Sequence, residues 1–249
     1  MSSARWLKKS FLRFRGKNKF HVITDFDRTL TKAFVNGEEV PSIISVLRNG
    51  DYLTPDYSKK ANALRNKYYP IEIDPNLSLD EKKKAMQEWW TIHFDLIVKS
   101  KLNKKDIVKI IKSEKLQFRA GTSAFLDLLH NQNIPLVILS SSGLGTESIS
   151  MYLANKKKLY DNINIISNSF EWDKEGYISS VKKPIITSMN KDETIIKSFP
   201  VFKKIEHRKN VLLLGDSLGD VGMVKGFPYK NLIKIGFLNN EVEKNLERY

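Results

Sequence analysis

Cysteine is absent from the 249-residue chain. Disulfides, thiolate nucleophiles and cysteine-ligated zinc are therefore excluded. Long apolar runs are lacking too: no stretch approaches the roughly 18 residues needed to cross a bilayer, and no segment has the apolar core and cleavage site of a secretory signal. His21, His93, His130 and His207 have no zinc-ligand spacing. They read as structural or exposed residues, with only His93 placed where it could touch a ligand. Gly143 and Gly145 lack the third glycine of a dinucleotide fingerprint, and Ser140 has no evident histidine and acid partners for a hydrolase triad. No internal repeat or heptad seam occurs, so a soluble, cytoplasmic monomer is expected. Carboxylates, lysines and hydroxyls are left to carry any chemistry.

Positive charge is plentiful, at +14 formally. Half of the excess lies in residues 1–19, which hold seven Lys/Arg and no acid. That segment reads as a basic arm, solvated by default. Its interleaved Trp6, Leu7, Phe11, Leu12 and Phe14 would also suit an anionic membrane surface. A basic folded remainder draws in anionic ligands, and small phosphate esters satisfy it as well as nucleic acid does. Charge alone does not choose between them; the acids described below make a small molecule, rather than RNA or DNA, the expected partner.

Apolar, β-rich runs stand at residues 20–24, 134–140, 162–167, 210–214 and 232–238. Separated by helical patterns, they predict an α/β fold with a Rossmann-like parallel sheet. Residues 42–116 differ, with apolar positions in steps of three and four, as in LDEKKKAMQEWWTIHFDLIVKS. Three regions follow: the arm at 1–19, an α/β core at 20–41 and 117–249, and a mostly helical cap at 42–116 inserted after the first strand. Pro70 and Pro75 in YYPIEIDPN are expected to break the helical run with an extended or turning segment that carries Glu72. EWDKEGYIS is expected to form a hairpin around Lys174-Glu175-Gly176.

Two of the apolar runs end in acids, as HVITDFDRT from His21 and VLLLGDSLGD from Val211. Open α/β sheets place ligands at the carboxyl ends of their strands, so Asp25, Asp27, Asp216 and Asp220 are expected at one rim. Four converging carboxylates repel, and a divalent cation resolves the conflict. Magnesium prefers hard oxygen donors, here the Asp25 and Asp216 side chains and the carbonyl of Asp27. Asp25 is then a suitable nucleophile towards phosphorus. Asp27 is suited to protonate the leaving oxygen and later to deprotonate water. Phosphate monoesters are among the slowest compounds to hydrolyse, needing up to roughly 10²¹-fold acceleration, so charge stabilisation must be extensive.

DFDRT followed by GDSLGD, each closing a β-rich run, resembles the haloacid-dehalogenase-like superfamily. The resemblance implies a phosphate-binding serine after the next core strand, Ser140 in LSSSG, or Ser141 because that turn is one residue longer than usual. It also implies a charge-offsetting lysine, for which Lys182, Lys183 and Lys191 are candidates. YYPIEIDPN, MQEWWT, SSSGLG, MNK, GDSLGD and IKIGFLN together resemble the eukaryotic cytosolic 5′-nucleotidases of type III, from about residue 20 to the end. That likeness implies Lys191 as the motif lysine, Glu72 as a base contact, Trp89 and Trp90 as candidates for the base pocket, and Asp220 among the substrate-site residues. Adjacent helical residues point about 100° apart, so one tryptophan is expected to face the ligand and the other the core.

The activity implied is magnesium-dependent hydrolysis of CMP, UMP or 7-methyl-GMP through an aspartyl-phosphate. Related alternatives are phosphotransfer to another nucleoside or hydrolysis of another small ester. A non-catalytic basic protein that binds nucleic acid or membrane is the competing class, but it offers no reason to gather four acids. The family usually continues beyond the equivalent of Glu247-Arg248-Tyr249, so a minimal or shortened homologue is expected.

Overall fold

The computed structural model describes residues 19–240 and 242–246. The basic arm up to residue 18 and the last three residues fall outside that range. The chain begins with β1 (Phe20–Thr24), then a small hairpin of β2 (Phe34–Val35) and β3 (Glu38–Glu39). Four helices follow: α1 (Ile43–Asn49), α2 (Tyr57–Ile73), α3 (Leu79–Lys99) and α4 (Lys104–Lys112). Next come α5 (Thr122–Asn131), β4 (Leu136–Leu139), α6 (Gly145–Asn155), β5 (Ile163–Ile166) and a hairpin of β6 (Phe170–Trp172) and β7 (Ile178–Val181). After α7 (Glu193–Lys197) and α8 (Phe202–Ile205), the chain forms β8 (Asn210–Gly215), a 3₁₀ segment at Leu218–Val224, β9 (Asn231–Gly236) and α9 (Val242–Asn245).

Five strands form a parallel sheet in the order β5-β4-β1-β8-β9. Every residue of β1, β4 and β8 is buried, which explains why these strands read as continuous apolar runs. Alternation still sorts their side chains. Val22, Leu136, Ile138, Leu212 and Leu214 join one cluster, while Ile23, Val137, Leu139, Val211 and Leu213 join another on the opposite face. The first cluster also takes in Ile43, Leu47, Ile97 and Ile107 of the helical insert, so sheet and insert share one core.

The chain after β1 pairs with the chain before α5. Thr31 bridges Phe118, the Lys32 N–H donates to the Gln117 carbonyl at 2.9 Å, and the Arg119 N–H donates to the Leu30 carbonyl at 2.9 Å. Helices α3 and α4 start at reciprocal capping boxes, Ser78 with Glu81 and Asn103 with Asp106. The β6–β7 hairpin braces this region, since the Ile178 N–H donates to the Leu102 carbonyl at 2.8 Å and the Lys104 N–H to the Gly176 carbonyl at 3.0 Å. Among the described residues no helix is long and apolar enough to cross a membrane.

One local expectation fails. Helix α2 runs through Pro70, and Glu72 lies in its last turn rather than on an extended segment. The buried Tyr57, Ala61 and Tyr68 anchor α2, and this packing outweighs the hydrogen bond that proline forfeits. Pro75 does end the helix, because Asp74 before it takes an extended ψ of 115°. The β2–β3 hairpin was legible but unread: Asn36 (φ 53°) and Gly37 (φ 84°) make the two-residue turn for which Asn-Gly is the strongest short signal.

Candidate active site

Strand β1 delivers its acids to the rim by an alternation that continues past its end. Phe26 is fully buried and packs edge-on against Tyr152 at 5.8 Å, while Asp25 and Asp27 line a cavity on the other side. The Asp25 N–H donates to the Leu214 carbonyl at 3.0 Å, so the ladder between β1 and β8 fixes its position. Arg28 then adopts a positive φ of 59°, turning the chain away.

Lys191 reaches the same point from the loop before α7. Its Nζ lies 2.7 Å from Asp25 Oδ1 and 2.7 Å from Asp220 Oδ1, and its side chain is 5% exposed. Asp220 works beneath the rim: its Oδ2 accepts from the N–H groups of Asp216 (3.1 Å) and Ser217 (2.9 Å) and from the Ser217 hydroxyl (2.9 Å). A Cβ at Gly215 would stand 2.5 Å from that of Asp220, so glycine there permits the tight turn. Asp216, set by this loop, receives a 3.4 Å contact from Asn239 Nδ2. Lys182 and Lys183 are exposed.

Burial dominates the electrostatics. It raises Asp25 well above the usual carboxylate range; Lys191 opposes the shift, and repulsion from Asp220 and Asp216 adds to it. Burial brings Asp27 up to about 6 against the pull of Arg28 and Lys191, and Asp216 to about 6 with help from Asp220. For Asp220, burial is outweighed by Lys191 and the Ser217 hydrogen bonds, which hold its carboxyl below the usual range. Burial likewise disfavours the Lys191 ammonium, yet Asp25 and Asp220 overcome it and raise that group. Asp25 and Asp220 share Lys191, and Arg28 acts by its charge on Asp27 and Asp216, so four carboxylates face two cations at this rim.

A divalent ion fits that deficit. Asp25, Asp216 and the main-chain oxygen of Asp27 are hard donors of the kind magnesium takes, and Asp27 Oδ1 is buried without a partner. Among the described residues no three or more acidic or histidine side chains form a metal cage, consistent with a set completed by a backbone oxygen and ligand oxygens.

Asp25, Asp27, Trp89, Trp90, Ser140, Ser141, Lys191 and Asp216 all line one cavity of about 540 Å³. Ser140 follows β4 directly: its N–H donates to the Ile166 carbonyl at 3.0 Å, and its hydroxyl accepts from the Ser142 N–H at 3.1 Å. Both tryptophans reach the cavity, stacked 5.7 Å apart and 17° from parallel. Trp89 stacks in turn on Tyr68, and Trp90 lies over Gly143, where a Cβ would come within 2.7 Å of its ring. Glu72 and Asp220 stand behind the lining. Glu72 accepts a hydrogen bond from Ser188, a lining residue, and burial raises its carboxyl above the ordinary range despite that bond and the charge of Lys191. His93 lines the cavity beside Tyr57 and Trp90. Arg28, Arg48, Arg65, Tyr69 and Ser188 line it too and were not singled out from the sequence. A shallower depression of about 620 Å³ along Lys84, Gln87 and Thr91 contains none of Asp25, Asp27, Asp216 and Asp220.

Residues 28–249 match the family model for pyrimidine 5′-nucleotidase, UMPH-1. The 7-methylguanosine phosphate-specific 5′-nucleotidase of Gallus gallus is 36% identical over 236 residues, covering 94% of this chain and 81% of its own. That of Homo sapiens is 36% identical over 239 residues, covering 96% and 79%. The structure of cytosolic 5′-nucleotidase IIIB bound to cytidine superposes with a TM-score of 0.83 at 28% identity, covering 98% of this chain and 81% of that one. A phosphoserine phosphatase trapped as a phospho-aspartyl intermediate analogue, at TM-score 0.53 and 17% identity, shares the fold.

Proposed function

The chain belongs to the pyrimidine 5′-nucleotidase (UMPH-1) family and is a 5′-nucleotidase of the haloacid-dehalogenase-like fold, and from that premise we propose a magnesium-dependent hydrolase of CMP, UMP or 7-methyl-GMP that works through an aspartyl-phosphate on Asp25. The observation that carries this reading is Lys191 bridging Asp25 and Asp220 at the floor of a cavity walled by Trp89 and Trp90.

An Asp25 carboxylate oxygen attacks phosphorus, and the bond from phosphorus to the nucleoside O5′ breaks. Asp27 gives its proton to O5′ as the nucleoside leaves; its raised pKa suits that task near neutrality. Asp27 then takes a proton from the water that attacks the phosphorus, and cleavage of the acyl-phosphate bond frees phosphate and restores Asp25. Lys191 and the hydroxyl of Ser140 or Ser141 hold the phosphoryl oxygens, while Asp220 keeps the lysine in place. Magnesium on Asp25, Asp216 and the Asp27 carbonyl would supply further neutralisation of phosphoryl charge.

The insert, residues 42–116, is the part proposed to choose the base. Trp90 and His93 offer a stacking face, on which a cationic 7-methylguanine also gains. Glu72, if Ser188 turns aside from it, can accept from a cytosine amino group or from guanine N1–H and its 2-amino group. The cytosol named for relatives of this chain is the proposed compartment. Phosphate release from CMP, UMP, 7-methyl-GMP, GMP and AMP, with and without magnesium, tests the proposal. Magnesium-dependent turnover of at least one of the first three is expected; release from none of the five would sink it.

A further inference from the structure

Two arginines line the cavity that holds Asp25, and the proposed chemistry uses neither. Arg48 sits at the end of α1 and Arg65 in the middle of α2. Among the described residues neither forms an ion pair with an acid. Glu39, which lines the same cavity, is bound to Arg28. Arg65 lies over the Tyr69 ring, 4.7 Å from its centroid; Glu72, about two turns further along α2, feels its charge but is hydrogen-bonded by Ser188.

Arg48 is 8% exposed, and its Nε is sealed from water without a hydrogen-bond partner. Among the described residues its guanidinium donates one hydrogen bond, from Nη2 to Ser45 Oγ at 3.0 Å. A guanidinium carries five donors and is not neutralised in proteins, so burying one with an idle donor beside a second positive charge is costly. Surface arginines avoid that cost by pointing into water. Here the local packing turns both towards the ligand space, where a bound anion would satisfy the donors bidentately and relieve the repulsion.

The phosphoryl group that reacts does not need them, because Lys191, Ser140 and the metal donors surround it. We propose that Arg48 and Arg65 form a second anion subsite, and that this nucleotidase takes nucleotides bearing a second negatively charged group besides the 5′-phosphate. This deepens the reading given above and rests on it for the position of the 5′-phosphate. The shared chemistry is a second anion on a nucleotide, carried either by the ribose, as a phosphate, or by the base, as a carboxylate.

Equilibrium binding by calorimetry to the Asp25→Asn protein in magnesium tests this. Cytidine 3′,5′-bisphosphate is compared with CMP, and orotidine 5′-monophosphate with UMP. At least one doubly anionic ligand is expected to bind about tenfold tighter or more than its parent, as charge-assisted bidentate contacts imply. The pair that shows the gain identifies where the second anion sits. Arg65→Gln and Arg48→Gln should each remove most of that advantage, and Arg48→Lys should restore only part of it. Arg65 is partly exposed, so its variant remains informative if Arg48→Gln fails to fold. No advantage for either ligand, or an advantage that survives both glutamine variants, overturns the proposal. Turnover of mononucleotides by the unsubstituted protein is read separately. A chain that hydrolyses none of them but shows the arginine-dependent ratio keeps the subsite and loses the hydrolase reading.

Discussion

Asp25 is held at the rim against its own electrostatic preference, since burial and two neighbouring carboxylates oppose its ionisation. Asp25→Asn keeps the shape and removes the charge. Turnover should fall below detection, while the urea midpoint rises by the equivalent of about 0.5–2 kcal/mol, the usual return for relieving a strained catalytic group. Lost turnover with lowered stability would mean that the carboxylate is structural. Asp220→Ala should do the reverse to the fold, because it strips three hydrogen bonds and leaves Lys191 with one acid fewer. A loss of about 3–5 kcal/mol in unfolding free energy is expected. At this scale the sequence was informative wherever a charge interrupted an apolar run: Asp25, Asp27 and Asp216 could be placed from that interruption alone. Lys191 and Ser140 needed the family likeness, since lysines and serines are common in loops. Arg48 and Arg65 escaped notice because arginine on a helix ordinarily marks a solvated face, and only tertiary packing turns these two inward.

Among elements, β1, β4 and β8 were the most legible, because each is buried on both faces and therefore reads as an unbroken apolar run. The forecast run 134–140 shrinks to Leu136–Leu139, for example, since the sheet ends where Ser140 turns to the cavity. Helix α2 was misjudged because proline is a local signal and the anchoring of Tyr57 and Tyr68 is not local. Pro70 is exposed, so Pro70→Ala should restore a helical hydrogen bond without disturbing the core. A gain of up to about 3 kcal/mol is expected in denaturant unfolding, and no gain would show that the ring itself is needed. Gly143→Ala acts across elements. Its new methyl would collide with Trp90 of α3 and Ile44 of α1, so the aromatic wall must move. KM for nucleotides should rise several-fold, with little change for a small generic phosphate ester that never reaches that wall.

For the whole molecule, two buried histidines and the raised carboxylates Asp27 and Asp216 pull the response to acid in opposite directions. Burial pushes His21 down to about 4, with the charges of Arg208 and His207 adding to the effect; burial likewise pushes His93 to about 4, with Arg48 adding to it. A histidine with a depressed folded pKa binds its proton more readily when unfolded. Its contribution is therefore complete above the unfolded value near 6.5 and drains away as pH falls towards about 4. Each should cost about 1.4 kcal/mol per pH unit within that window. Urea unfolding of the unsubstituted protein and of His21→Leu at pH 7, 6 and 5 should isolate this contribution: the substitution should remove about one proton from the pH slope, while Asp27 and Asp216 contribute in the opposite sense to both proteins. An unchanged slope would mean that His21 titrates normally.

Val22, Leu136 and Leu214 of the sheet share their hydrophobic cluster with Ile43, Leu47, Ile97 and Ile107 of the insert. Swinging the two parts away from each other would wet oily surface on both, at about 25 cal/mol for every Å² uncovered. A nucleotide is therefore expected to come and go without parting the two.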